Sequence, residues 1–258
     1  MGYSLNNKVA IITGGGSGIG KSIAELFADK KARVYILEID KKRGLAVQNE
    51  ILKNNNFGQF YHCDVSDETS INASVNSVLD AEKRIDILVN NAGISHIGTI
   101  EQTTSSDLDR VYNANVKSVY LTTKHVIGAM VKNGGGTILN LASILAKVGV
   151  DERFAYSMSK GAVLAMTLSI AKDYIGQNIR CNCICPARVH TTFVDDYLKK
   201  NYAGKEKEVF DKLSTFQPIG RMGKPDEIAQ LALFLCSDAS SFITAAAYDI
   251  DGGVVNLR

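Results

Sequence analysis

The sequence predicts an α/β fold, a doubly wound parallel sheet of about seven strands with helices on both faces. Three observations predict it. Short apolar runs alternate with helix-period segments along all 258 residues. A glycine cluster follows the first apolar run at once and opens the first helical pattern. No repeat, low-complexity tract or composition shift marks a linker, so residues 1–258 read as one domain.

Val9–Thr13 is a short buried strand, and Ile19, Ile23, Leu26 and Phe27 follow it at helical spacing. Val34–Leu37 is the second strand. Ile71, Val75, Val78 and Leu79 mark another helix, leading into a strand over Ile85–Asn90. Leu108 to about Val131 reads as one long helix ended by Asn133-Gly-Gly-Gly136, with the strand Thr137–Leu141 after it. A further long helix from about Phe154 to Ile175 stops at Gly176 and gives way to the strand Ile179–Cys185, which Pro186 closes. Residues 191–216 are a polar, helix-compatible insertion at the carboxyl end of that strand, where a substrate lid over about 190–216 belongs. Pro225 opens the last helix, with Ile228, Leu231, Ala232 and Leu235 inward, and Tyr248–Gly253 supplies a final strand and turn.

With 29 basic and 27 acidic side chains, a formal charge of +2 gives no electrostatic case for nucleic acid or a membrane surface. No apolar segment approaches the ~18 to 20 residues that span a bilayer. The start of the chain has no basic stretch followed by an apolar run, and Asn6 breaks the myristoylation pattern. A cytoplasmic protein acting on a small molecule is expected. Five cysteines, Cys63, Cys181, Cys183, Cys185 and Cys236, are an odd number for a disulfide framework. Cys181, Cys183 and Cys185 alternate on one face of a strand; three ligands in line make poor tetrahedral geometry, so they read as buried packing and no metal is expected.

The glycine cluster Thr13-Gly-Gly-Gly-Ser-Gly-Ile-Gly20 lies between a strand and a helix, the context of a Rossmann-like nucleotide loop. Glycines let the backbone approach a pyrophosphate, and the open N–H groups of a helix start favour its charge. Gly14, Gly16, Ser17, Gly18, Ile19 and Gly20 are therefore candidate cofactor contacts. Glu38 ends the second strand, where a carboxylate accepts from the ribose hydroxyls of NAD and repels the extra phosphate of NADP. NAD is expected, although Lys21, Lys41, Lys42 and Arg43 are near enough in sequence to meet a 2′-phosphate. Tyr156 and Lys160, four residues apart on a helix, share a face. A free phenol titrates near pH ~10, so proton transfer near neutrality calls for the cation beside it to lower its pKa.

Taken in order, the glycine loop, Asp64-Val65, Asn90-Asn-Ala-Gly93, Asn115, Ser143, Tyr156 with Lys160, Pro186 and Asp251-Gly-Gly253 resemble the short-chain dehydrogenase/reductase family over almost the whole chain. The resemblance implies that Asp64 and Val65 bracket the adenine and that Asn91, Ala92 and Gly93 line the cofactor site. It also implies that Ile184, Pro186, Val189 and Thr191 hold the nicotinamide end. Tyr156 is then the acid or base, and Lys160 lowers its pKa and bonds the nicotinamide ribose. Ser143 hydrogen-bonds the substrate oxygen, and Asn115 positions a water. A homotetramer or homodimer packed through the long helices is implied as well. Two positions depart from the pattern, Ala187 after Pro186 and Ala245 after Thr244, where the family usually has glycine.

The stretches that build the reacting pocket in this family supply Ser95, His96, Lys147, Arg153, Arg188 and His190 alongside Ile94, Ile144, Leu145 and Val148. Several donors suit a sugar or sugar acid, because a buried polar group needs a partner. The segment from Pro186 to Asp195 resembles segments of bacterial dehydrogenases for deoxysugars such as fucose, or for their acids. Competing expectations are a carbonyl reductase of the 3-oxoacyl or hydroxysteroid kind, and a nucleotide-sensing protein that keeps the fold without turnover.

Overall fold

The computed structural model describes residues 3–257. β1 (Val9–Thr13) is buried throughout, as a strand covered on both faces must be. α1 (Gly18–Asp29) turns Ile23, Ala24 and Phe27 inward, and full burial of Ile23 or Phe27 stabilises by about 1.5–3 kcal/mol each. Next come β2 (Arg33–Glu38), α2 (Lys41–Lys53), β3 (Gly58–His62) and α3 (Glu68–Glu82). Asp40 caps α2 and Asp67 caps α3 through their carboxylates. β4 (Ile87–Asn90) is followed by α4 (Ser105–Tyr112), a π turn over Asn113–Lys117, and α5 (Ser118–Lys132). β5 (Gly136–Leu141), α6 (Phe154–Tyr174) and β6 (Ile179–Pro186) follow. α7 (Thr192–Asn201) and α8 (Glu206–Ser214) make up the insertion, ahead of α9 (Pro225–Cys236), β7 (Ala247–Ile250) and the short α10 (Val254–Leu257).

The seven strands form one sheet in the order β3-β2-β1-β4-β5-β6-β7, every pair parallel. Side chains alternate between two cores, one on each face of the sheet. Ala10, Ile12, Val34 and Ile36 pack with α1 and α9, while Val9, Ile11, Tyr35 and Leu37 pack with α3 and α5. A polar ladder crosses the second face. Asn90 donates to Asn140 at 2.9 Å and accepts from the Thr122 hydroxyl at 2.6 Å, and Asn140 donates to the Thr167 hydroxyl at 2.9 Å. These bonds pin α5 and α6 to β4 and β5. Strand order reverses at β1, which lies between β2 and β4, so a crevice opens over the carboxyl ends of β1 and β4.

Two elements escape the sequence pattern. β3 is an edge strand with only Gly58 and Phe60 buried, and α2 buries only Gly44, Val47 and Ile51, so neither carries a strong apolar rhythm. The long helix expected from Leu108 is two helices joined by the π turn, and it starts earlier, at a Thr104 cap. Apolar spacing does not register one widened turn, yet that turn carries Asn115 inward to full burial. Cys181, Cys183 and Cys185 are all buried as free thiols, and the described residues hold no metal-binding cluster.

Candidate active site

The crevice is built on the glycine loop. Gly14 (φ +64°) and Gly18 (φ +53°) hold left-handed backbone, and a Cβ on Gly20 would lie 2.2 Å from the Gly14 carbonyl oxygen. Thr13 and Asn91 lock this loop to the one after β4. The backbone N–H groups of Asn91 and Ala92 both donate to the Thr13 hydroxyl at 3.1 Å, and Asn91 Nδ2 donates to the carbonyls of Thr13 and Gly14 at 3.0 and 3.1 Å. Asn91 thus shapes the cradle, and Thr13, a residue the sequence reading passed over, is its hub. The first N–H groups of α1, from Gly18, Ile19 and Gly20, have no intrahelical acceptor and face the crevice mouth after Ser17.

Glu38 is buried at the end of β2. Its Oε2 accepts from Gly16 N–H at 3.1 Å and its Oε1 from Asp40 N–H at 3.0 Å. A Cβ on Gly16 would stand 2.7 Å from Glu38 Cγ, so the carboxylate lies directly over the loop. Lys21 turns away to Glu50 at 2.7 Å and Glu25 at 3.5 Å, and Arg43 pairs with Asp40. Asp64 and Val65 stand half-buried past β3, where Asp64 accepts from the Ser66 N–H and hydroxyl. Thr191 closes the opposite side: its Cγ2 lies 3.2 Å from where a Gly18 Cβ would be. Pro186 and Val189 are buried beside it, and Val189 bridges to Gly223. This cradle fits an elongated dinucleotide: bare backbone and N–H groups for a pyrophosphate, and one carboxylate at the ribose end.

Ser143, Tyr156 and Lys160 converge next to the cradle. Lys160 is almost fully buried and donates to the Leu141 carbonyl at 2.7 Å, with Nζ 3.8 Å from where a Gly93 Cβ would stand. Its Nζ is 5.6 Å from the Tyr156 ring centroid. Burial pulls the ammonium down to about 8. The expected lowering of Tyr156 is not what this geometry gives. Burial pushes the phenol above its ordinary value, and the Ser143 hydroxyl and the Arg153 charge oppose the rise. Asn115 is held from both ends of its amide. Its Nδ2 donates to the Ile94 carbonyl at 2.9 Å and the Ser159 hydroxyl at 3.0 Å, and its Oδ1 accepts from Ile94 N–H at 2.8 Å. Both amide hydrogens are spent, so this side chain clamps the Gly93–Ile94 loop to α6. Ser159, which donates on to the Tyr156 carbonyl at 2.7 Å, completes the clamp.

Ser143 and Tyr156 open into a cleft of about 320 Å³. Of the expected substrate residues, Ser95, His96, Arg153 and Arg188 line it. His190 does not: it is exposed, bonds Asp195 at 2.8 Å and packs edge-on against Phe210. Lys147 is likewise taken up by Asp249 at 2.7 Å. The far wall is apolar, built of Ile97, Val150, Val194, Leu213 and Phe216 besides Ile144 and Leu145. The inner spacing of Leu213 and Phe216 was the signal for this wall, within an insertion whose composition is otherwise polar. Ala187 does not hold positive φ, so alanine fits there, whereas Ala245 sits at φ +57°.

The profile of a family described as enoyl-(acyl carrier protein) reductase matches residues 14–255. A 3-oxoacyl-[acyl-carrier-protein] reductase FabG of Chlamydia pneumoniae is 36% identical over 257 residues, covering 98% of this chain and 99% of that protein. The chain belongs to the short-chain dehydrogenase/reductase family. Among solved structures, the L-sorbose reductase of Gluconobacter frateurii, complexed with NADPH and L-sorbose, superposes with a TM-score of 0.95 at 29% identity, covering 99% of both chains. A 7α-hydroxysteroid dehydrogenase complexed with NADH and 7-oxo glycochenodeoxycholic acid superposes with a TM-score of 0.90 at 34% identity, over 99% of this chain and 98% of that one. As a short-chain dehydrogenase/reductase this protein is an enzyme, an oxidoreductase with a nicotinamide cofactor and a small-molecule substrate. Among the described residues no helix is long and apolar enough to cross a membrane.

Proposed function

We propose that this enzyme is an NAD-dependent dehydrogenase for a small secondary alcohol or its ketone, a sugar or sugar acid, bound in the cleft above Tyr156. The carrying observation is the meeting of Ser143, Tyr156 and Lys160 at the junction of that cleft with the glycine cradle. A bound nicotinamide dinucleotide supplies or accepts the hydride. The chain supplies orientation and proton transfer. Tyr156 gives its phenolic proton to the ketone oxygen in reduction, or takes the hydroxyl proton in oxidation. Ser143, buried at the cleft floor, donates to the same oxygen as negative charge develops on it. The Lys160 ammonium lies beneath the phenol ring and favours the phenolate once the proton has left. Asn115 and Ser159 hold the Gly93 loop and the Tyr156 backbone in register.

Glu38 over the loop supports NAD rather than NADP, because a 2′-phosphate beside a buried carboxylate is repelled, and Lys21 and Arg43 are held by carboxylates. Ser95, His96, Arg153 and Arg188 in the cleft support a polar substrate. The apolar wall of Val194, Leu213 and Phe216 favours a second reading, a 3-oxoacyl or hydroxysteroid-type reductase. We take α7 and α8, which supply Val194 and Leu213, as a lid over about 190–216 on a single domain spanning residues 1–258. A cytoplasmic homotetramer or homodimer fits the apolar side chains Tyr120, Phe154, Met158 and Leu168 left exposed on α5 and α6.

A panel of sugars, sugar acids, acyl ketones and sterol ketones, followed by absorbance of reduced coenzyme under NAD and NADP, tests the reading. Preference for sugar-like alcohols with NAD supports it; turnover confined to acyl or sterol ketones with NADPH selects the second reading. Tyr156→Phe lowers kcat by about 10²- to 10⁴-fold if the phenol transfers the proton, and unchanged turnover would remove it from the mechanism.

A further inference from the structure

We infer that Arg153 reads a singly charged oxyanion on the substrate, a carboxylate or sulfonate a few bonds from the reacting carbon. The inference rests on the oxidoreductase reading above and narrows its substrate class to hydroxy and keto acids.

The first ground is the pairing of the other arginines. Arg33 pairs with Glu82, Arg43 with Asp40, Arg84 with Asp86, Arg110 with Asp107 and Arg221 with Glu227. Arg180 is half-buried among carbonyl acceptors, and the Arg188 guanidinium lies over the Phe216 ring, 4.9 Å from its centroid. Arg153 differs. Its one hydrogen bond within the described residues runs from Nη1 to the carbonyl of its own neighbour Glu152, at 2.9 Å, and no carboxylate lies within ion-pair distance. Four of the five guanidinium N–H groups remain for a ligand.

Its setting is a wall of the reaction cleft rather than open surface. Arg153 lines the same cavity as Ser143 and Tyr156, three residues before the phenol. Its charge is felt at the Tyr156 hydroxyl. The backbone that presents it is held on both sides: Gly98 N–H donates to the Glu152 carbonyl at 2.8 Å, Phe154 N–H donates to the Gly98 carbonyl at 3.2 Å, and Gly98 and Arg153 pair as an isolated bridge. Glu152 takes a left-handed φ of +57° to make that corner. A non-glycine residue in that region costs roughly 1 kcal/mol or more, which the paired loop sustains.

The remaining lining decides the sign and size of the ligand. Ile97, Ile144, Leu145, Val150 and Phe216 bring no charge, Arg188 over the Phe216 ring adds a second positive charge, and among the described residues no carboxylate lines the cleft, so an anion beside Arg153 is drawn by an attraction that low-polarity walls strengthen. One guanidinium fork matches one planar carboxylate or one sulfonate edge by two parallel bonds. A cleft of about 320 Å³ has room for a small acid beside the guanidinium.

The test uses four probes of similar size: acetoacetate, 2-oxopropanesulfonate, methyl acetoacetate and 2-butanone. Binding of each to the protein saturated with NAD⁺, where no ketone is reduced, is measured calorimetrically for the wild type, Arg153→Gln and Arg153→Lys. Circular dichroism and thermal melts check that each variant is folded. Acetoacetate or the sulfonate binds the wild type at least 10-fold more tightly than the ester or butanone; Arg153→Gln removes that advantage and leaves the neutral probes within about 3-fold, by the usual worth of a charge-assisted pair. Arg153→Lys restores part of it. The inference is overturned if the wild type shows no preference for the anions. It is equally overturned if Arg153→Gln keeps that preference, or weakens anionic and neutral probes alike. Turnover of the same probes with NADH or NADPH bears separately on the oxidoreductase reading, so failure of either is told apart from failure of the other.

Discussion

Gly20→Ala probes the cradle at its tightest point. The new methyl would lie 2.2 Å from the Gly14 carbonyl oxygen, 2.5 Å from Asn91 Nδ2 and 2.9 Å from the Gly14 carbonyl carbon. Two of these three are backbone atoms that cannot rotate aside, and Asn91 is anchored by bonds of 3.0 and 3.1 Å to the carbonyls of Thr13 and Gly14. Relief therefore requires the start of α1 to lift off the loop and the Asn91 bonds to lengthen. Overpacking costs about 1–3 kcal/mol, and weakening two hydrogen bonds adds about 1 kcal/mol each. The better helix propensity of alanine returns roughly 1 kcal/mol. The net is a loss of about 2–4 kcal/mol, or a fall in Tm of roughly 5–12 °C for a chain of this size. Because the displaced N–H groups of α1 are those that face a pyrophosphate, NAD affinity falls by at least about 10-fold. Thermal melts and calorimetric NAD titration of the two proteins measure both quantities. A variant that keeps the wild-type Tm and NAD affinity would refute the close approach of α1 to the loop.

At Ala245, φ +57° strains an alanine, so Ala245→Gly stabilises by about 0.5–1 kcal/mol after the entropy of the unfolded chain is counted, seen as a Tm higher by roughly 2 °C. Burial holds Lys160 at about 8, below its ordinary 10.5, so the unfolded chain binds that proton more tightly. Dinucleotide-free wild type should gain stability as pH rises from 8 towards 10, by about 1 kcal/mol or more per pH unit, and Lys160→Met should lack this gain; parallel denaturation curves at pH 7.5, 8.5 and 9.5 would contradict the burial argument. The Arg153 charge opposes the rise of the Tyr156 pKa, so if the phenolate is the base in alcohol oxidation, as proposed, Arg153→Gln moves the rise of kcat/KM to higher pH. A pH–rate profile that stays in place would separate the two groups.

Much of the fold was legible because its signals are local. β1, the glycine loop and α1 follow one another within about 20 residues, and each announces itself by burial period or by glycine. The Tyr156–Lys160 pair needed only helical spacing. What escaped was carried by weak or non-local signals. β3 and α2 lie toward the sheet edge and bury few side chains. The π turn at Asn113–Lys117 is a matter of one hydrogen-bond step, invisible to apolar period, though it decides where Asn115 points. His190 seemed a pocket donor by its place after Pro186, yet its position beside Asp195 and Phe210 depends on how α7 and α8 fold back.

By itself the sequence determined the parallel α/β architecture, the glycine loop and the helical pairing of Tyr156 with Lys160, since each depends on neighbours a few residues away, while Ser143 entered through the ordered family motif. Only the tertiary structure decided how these parts are used. Asn115 clamps across 44 residues to Ser159, and Gly98 and Arg153 meet across the mouth of the cleft. Val194, Leu213 and Phe216 meet at its apolar wall. Such contacts form when helices pack on the sheet, and the desolvation that raises Tyr156 and lowers Lys160 exists only after that packing has removed water.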